Sequence, residues 1–199
     1  MIPCIKVSTV SKQEKIMRLA SRFAIMSVFC GMLLMSSAVL GQNTSIVFPD
    51  VEGWEKGDKA TYPSAELGYS IPYQSETAGS VTVYIYNAGL KAIADGITDK
   101  TVKSQRTQAE GDIKAYGDQG YYQDVKLIKS DTVTLGGSRT ALYSLFSMKV
   151  RGTEMDSEIY LFGYKNNFVK IRATRPKGKN GASNAEVTKL LSALAKAFA

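Results

Sequence analysis

The sequence predicts an α+β fold: an antiparallel β-sheet of about five to six strands with two main helices packed on it, an α/β/α sandwich preceded by an N-terminal signal helix. Three observations predict it. Aromatic and β-branched residues alternate with period two from Leu67 and again after Tyr121. A polar segment between these regions, from about Thr98 to Gly117, has its apolar residues at helical spacing. Near the C-terminus, Val187, Leu190, Leu191, Leu194 and Phe198 fall at i, i+3, i+4, i+7 and i+11, the stripe of a helix that docks on a sheet.

In chain order, residues 42–63 have little periodicity and hold the only tryptophan, Trp54, so they read as an extended lead-in pinned by that ring. A ligand-stacking role for Trp54 is the alternative. The first strand pair has Leu67, Tyr69, Ile71 and Tyr73 on one face, then Val81, Val83 and Ile85 against Thr82, Tyr84 and Tyr86. Pro72 cannot donate to a ladder and pushes the first strand towards an edge or an irregular pairing. In the polar helix, Val102, Ala109, Ile113 and Tyr116 form the apolar face and Thr98 or Asp99 supplies the cap. Strands are then expected over 124–130, 132–135, 139–150, 154–164 and 168–173, with turns at Gly136-Gly137, Arg151-Gly152-Thr153 and Asn166-Asn167. Ser183 and Glu186 have the spacing of a capping box for the last helix.

Ahead of this domain, basic residues from Lys12 to Arg22 precede an uncharged apolar run, Phe23 to Leu40, closed by small residues. That order is the pattern of a secretory signal. Cleavage fits after Ala38 or after Gly41, and the second places the mature start near Gln42; translation from Met17 and retention as a membrane anchor are the alternatives. The chain thus divides into a signal peptide over 1–41, the lead-in over 42–63 and a single α+β domain over 64–199. Five of the 25 basic and one of the 18 acidic residues leave with the signal, so the formal charge falls from +7 to +3. Both cysteines, Cys4 and Cys30, leave with it, so the mature domain has neither disulfide nor thiol chemistry. The Asn43-Thr44-Ser45 sequon matters only in a host that glycosylates exported chains.

Histidine is absent from all 199 residues. Serine–histidine and cysteine–histidine nucleophiles, histidine bases and nearly all zinc, copper and haem sites therefore cannot be built in the mature chain. Carboxylate, lysine, tyrosine and hard-cation chemistry remain. No catalytic residue, metal ligand or cofactor is assigned.

Three constellations stand out. Glu154, Asp156 and Glu158 share one side of a strand, as a calcium cluster would need, although Lys149 and Arg151 across the turn make charge pairing on a solvated face the plainer account. Arg172, Arg175, Lys177 and Lys179 read as a basic loop able to meet anions, head groups or an acidic partner, or simply to face solvent. Tyr84, Tyr86, Tyr121 and Tyr122 are candidates for a partner surface, since tyrosine offers contact area with a polar tip, or are sheet-face packing.

Three segments, Leu67-Gly68-Tyr69-Ser70-Ile71, Val133-Thr134-Leu135-Gly136-Gly137 and 158–171, carry a likeness that spans about Tyr62 to Phe198. Through them the chain resembles the PsbP-like fold, an α/β/α sandwich shared by photosystem accessory subunits, a Ran-binding nuclear-transport factor and bacterial DcrB-type envelope proteins. The lipoprotein cysteine usual in the DcrB type is missing. The resemblance implies a non-catalytic accessory or binding protein; the signal pattern makes it periplasmic or extracellular, and an envelope protein or small ligand is the expected partner. Nucleic acid is not an expected partner, and the membrane is one only through the signal segment unless that segment stays uncleaved. The alternatives are a carboxylate-dependent hydrolase, or a membrane-surface protein using the 172–179 loop.

Overall fold

A computed structural model describes residues 46–178 and 181–199, with the side chains of 181–183 excepted. The expected signal segment 1–41 with Cys4 and Cys30, the sequon, Lys179 and the Ser183 side chain lie outside what is described.

The strands are β1 (Glu55–Lys56), β2 (Ala60–Thr61), β3 (Tyr69–Ser75), β4 (Gly79–Tyr86), β5 (Gln123–Leu135), β6 (Arg139–Val150), β7 (Thr153–Tyr164) and β8 (Asn167–Pro176). Helix α1 (Lys100–Asp118) joins β4 to β5, and α2 (Gly181–Ala197) follows β8. All pairings are antiparallel, in the order β1-β3-β4-β8-β7-β6-β5, with β2 also on β3. Among the described residues the sheet therefore has eight strands rather than five to six. The two additional strands come from the lead-in, where two-residue pieces without a visible alternation fold onto β3.

Other local corrections have equally simple causes. Leu67 is exposed in a single 3-10 turn, and Gly68 adopts φ +61° with a virtual Cβ only 1.9 Å from the Ile85 carbonyl oxygen, so the first strand starts at Tyr69. The segments 124–130 and 132–135 form one strand, β5, with register irregularities between Gln123 and Lys126 and between Leu127 and Lys129. The last hairpin turns on Lys165 and Asn166, both at positive φ, one residue before the expected pair. Pro72 behaves as foreseen: its carbonyl accepts from Gly57 N at 2.9 Å, and its missing donor faces the interrupted flank held only by β1 and β2.

Two layers cover the sheet. On one face, Val187, Leu190, Leu191, Leu194 and Phe198 of α2 pack on Val81, Val83, Ile85, Val169 and Ile171, so the expected stripe is the docking face. Phe198 meets Phe162 and Tyr164 edge-on, each at 5.4 Å. The lead-in seals this layer: Trp54 is buried and its Nε1 donates to the Glu186 carbonyl at 3.3 Å, while Tyr73 donates to Pro49 O at 3.0 Å. Burial, aided by Asp50, raises the Tyr73 phenol to about 12. Helix α2 starts ahead of Ser183, and the Glu186 carboxylate accepts from Thr77 Oγ1 at 2.7 Å, tying the helix to the β3–β4 turn.

On the opposite face α1 lies over β5, β6 and β7. Its N-cap is Asp99, which accepts from Thr101 N at 2.7 Å. Val102 packs with Leu142, Leu161 and Phe168, and Ala109 and Ile113 pack on Phe146, Met148 and Ile159. Glu110 fixes the helix laterally by accepting from Ser144 Oγ at 2.6 Å and Ser130 Oγ at 3.2 Å. The loop before α1 is held by a two-way bridge between Gly96 and Gly163, at 2.9 and 2.8 Å.

That bridge brings the backbone too close for a side chain, since a Cβ at Gly163 would lie 1.9 Å from the Ala94 carbonyl oxygen. Gly163→Ala is expected to destabilise the protein by about 1–3 kcal/mol. Gly111→Ala, in α1 where an added Cβ meets nothing within 4 Å, is expected to stabilise by up to ~1 kcal/mol. Urea denaturation of both variants checks the pair, and equal effects would contradict this packing.

Candidate functional site

The period of a strand decides which side chains meet. In β4, Val81, Val83 and Ile85 enter the α2 layer, so Thr82, Tyr84 and Tyr86 point to the α1 side. In β8, Val169, Ile171 and Ala173 do the same, leaving Lys170 and Arg172 on the α1 side. The register pairs Tyr84 with Lys170 and Thr82 with Arg172. Helix α1 lies mainly over β5 to β7 and reaches Phe168 of β8 through Val102, so this β4–β8 seam runs along the flank of the helix. The result is a partly buried shelf of tyrosines and two cations.

Lys170 Nζ stands 4.7 Å from the Tyr84 ring centre and 5.6 Å from that of Tyr86, both within cation–π range. The Arg172 guanidinium lies 5.5 Å from the Tyr122 ring, donates from Nε to Ser157 Oγ at 3.1 Å and from Nη2 to the Tyr122 hydroxyl at 3.3 Å. Among the described residues there are six ion pairs, and neither Lys170 nor Arg172 takes part in any. Asp112, exposed on α1, is the carboxylate whose charge reaches Lys170, from beyond ion-pair distance. Burial lowers the Lys170 ammonium below its ordinary value, Asp112 opposes this and Arg172 adds to it. Burial also raises the Tyr84 and Tyr86 phenols, which therefore remain protonated at neutral pH. The Tyr86 hydroxyl is buried beside Gln105 without a hydrogen bond of acceptable geometry.

The candidates named from sequence are thus sorted by the fold. Tyr84, Tyr86, Tyr122 and Arg172 come together. Tyr121 is set apart, 38% exposed and edge-on to Tyr116 at 5.9 Å. Arg172 and Arg175 belong to a strand rather than a loop, and their spacing of three sends them to opposite faces. Lys177 reaches Ser147 Oγ at 3.3 Å. Lys170 was passed over, although its two-residue separation from Arg172 within an alternating run was the signal that pairs them.

Arg175 meets the acidic trio. Glu158 is buried, not solvated as expected: it receives Arg175 Nη1 at 2.5 Å and Nη2 at 3.2 Å, and the Tyr143 hydroxyl at 3.0 Å. This bidentate pair occupies both oxygens of Glu158, so the three acids do not converge on one point. Lys149 pairs with Asp124 at 2.7 Å rather than with Glu154, its cross-strand neighbour. Among the described residues no group of three or more Asp, Glu, His or Cys side chains is arranged to hold a metal ion, and no helix is long and apolar enough to cross a membrane. A shallow depression of about 420 Å³, lined by Lys114, Gly117, Asp118, Tyr122, Asp124 and Val125, shares Tyr122 with the shelf.

No protein-family model matches the chain, and no curated protein matches it. Among solved structures it is similar to cyanobacterial PsbP (CyanoP) from Synechocystis sp. PCC 6803, determined in solution, with a TM-score of 0.44 and 13% identity over 69% of this chain and 81% of that one. The likeness is of fold alone, and no residue role passes from that protein to this chain.

Two mutational outcomes follow from the contrast between the paired and the unpaired cations. Arg175→Ala strands a buried carboxylate and is expected to cost about 3–5 kcal/mol, whereas Glu158→Leu with Arg175→Met should cost much less. Lys170→Met should do the reverse of Arg175→Ala and raise Tm by about 2–4 °C, corresponding to ~1 kcal/mol for a chain of this size. The unfolded state holds the Lys170 proton more tightly than the folded state, so the gain should be full below the lowered pKa and fade as pH rises to the ordinary value of 10.5. Calorimetry at neutral and alkaline pH checks this; a destabilised Lys170→Met at neutral pH would contradict it.

Proposed function

We propose that the protein is an exported, non-catalytic binding or accessory protein of the cell envelope, and that its ligand face is the shelf of Tyr84, Tyr86, Tyr122, Lys170 and Arg172. One observation carries the proposal: the seam between β4 and β8 presents two partly buried cations without an ion-pair partner among the described residues, flanked by tyrosines along the side of α1. Partly buried charge without a counter-charge costs stability and is retained where something else uses it. Tyrosine beside arginine is also the composition of binding hot spots. Export rests on the order of basic stretch, apolar run and small residues over 12–41.

A carboxylate-dependent hydrolase would need two acidic groups converging on a cleft. Glu158, the buried carboxylate, is already taken up by Arg175 and Tyr143.

The experiment is native mass spectrometry of the protein purified from its own host, beside a Tyr84→Ala, Tyr122→Ala variant shown to be folded by circular dichroism. The expected result is an envelope-fraction chain starting near Gln42 that retains a bound partner or small ligand, which the variant loses. An unprocessed chain in the cytoplasm would overturn export. Equal retention by parent and variant, or retention by neither, would overturn the ligand face.

A further inference from the structure

We propose that Lys170 and Arg172 are the two halves of an oxyanion subsite, which takes the phosphate or carboxylate group of a small ligand at the β4–β8 seam. This rests on the ligand face proposed above and names the chemistry it accepts.

The two residues are separated by one position of β8, so their stems rise in parallel about 7 Å apart from the same face. A single oxyanion fits between heads at that spacing. Arg172 is held in place by its hydrogen bonds to Ser157 and Tyr122, which engage Nε and Nη2. Of the five N–H donors of a guanidinium, Nη1 and the second Nη2 hydrogen have no partner among the described residues, so the fork is fixed and still free to donate. Lys170 supplies the complementary point charge.

The neighbourhood contains donors. The rings of Tyr84 and Tyr86 border the Lys170 head, their phenols stay protonated, and the Tyr86 hydroxyl is buried without a good partner. Asp112, on the exposed side of α1, is the acidic group directed at Lys170, and it stops short of an ion pair. Cation–π contact with two tyrosines offsets only part of the loss of hydration, and an anion would supply the remainder. The second cationic position of the sheet supports the comparison: Arg175, also partly buried, has a bidentate carboxylate from within the chain. Arg172 and Lys170 have no ion-pair partner among the described residues.

The test is isothermal titration of the full protein, in the form its host leaves it, with inorganic pyrophosphate, citrate and phosphatidylglycerol vesicles at constant ionic strength. Lys170→Met, Arg172→Gln and Lys91→Met are compared with the parent. Lys91→Met removes the same charge from an exposed loop. The expected result is saturable binding of pyrophosphate or citrate that weakens at least tenfold in Lys170→Met and in Arg172→Gln and stays unchanged in Lys91→Met. Preference between the two probes separates a phosphate from a carboxylate source. Lys170→Met is expected to melt no lower than the parent at neutral pH, so its loss of binding cannot be charged to unfolding. Absence of saturable binding by either small anion, equal weakening in Lys91→Met, or binding to the vesicles alone would each overturn the subsite. If the anions fail while the tyrosine variant still loses a native ligand, the ligand face survives and only its chemistry is wrong; if both fail, neither stands.

Discussion

The pairing of β4 with β8 is the constraint on which the rest of the molecule depends. The N-terminal hairpin, β3 and β4, is built before the chain leaves through α1 to the far edge at β5, and the meander β5 to β8 then returns to close on it. Only the seven-residue register from Ser80↔Thr174 to Tyr86↔Phe168 joins the two halves into one sheet. Because side chains alternate, fixing that register fixes both layers together. A slip of β4 by one residue would turn Val81, Val83 and Ile85 out of the α2 layer and drive Tyr84 into it. The aliphatic half of the seam, sealed by α2 and the lead-in, therefore holds the polar half in position.

This division explains how a fold without disulfides tolerates desolvated charge. The α2 layer is continuous, with Trp54, Tyr73 and Phe198 closing its margins. The one charged pair set into that side, Glu158 with Arg175, is satisfied on both carboxylate oxygens and also receives a phenol. The α1 layer is narrower, because a single helix lies mainly over β5 to β7 and reaches β8 at Phe168. The polar, aromatic residues of β4 and β8 lie along its flank, partly buried and supported by two strands rather than by loops.

Much of this was legible in the sequence, since long periodic elements announce themselves. The α1 cap, expected at Thr98 or Asp99 and found at Asp99, the α2 stripe, the irregular pairing at Pro72 and the burial of Trp54 each follow from particular residue types in particular positions. What escaped had specific physical reasons. Strands β1 and β2 are two residues long, and a period cannot be read from two residues. The solvated edge strand β5 alternates poorly because it contains register irregularities and most of its side chains face water. The burial of Glu158 depends on Arg175 from the neighbouring strand and Tyr143 from another, a convergence that no local pattern encodes.

The candidate site shows the same limit from the other side. Its tyrosines and Arg172 were visible, but a count of positive charges over 172–179 grouped residues that the strand separates. Parity, not proximity in sequence, decides: 170 and 172 share a face, while 175 lies across the sheet. Two arginines three residues apart on one strand thereby have opposite fates, one neutralised inside the protein and one left available. Had Glu158 occupied position 157 or 159, the carboxylate would have met Arg172 and Lys170 instead, and the seam would be a closed salt bridge. The availability of charge at this seam is therefore a consequence of register, and the same register that assembles the core leaves the two cations free to meet a ligand.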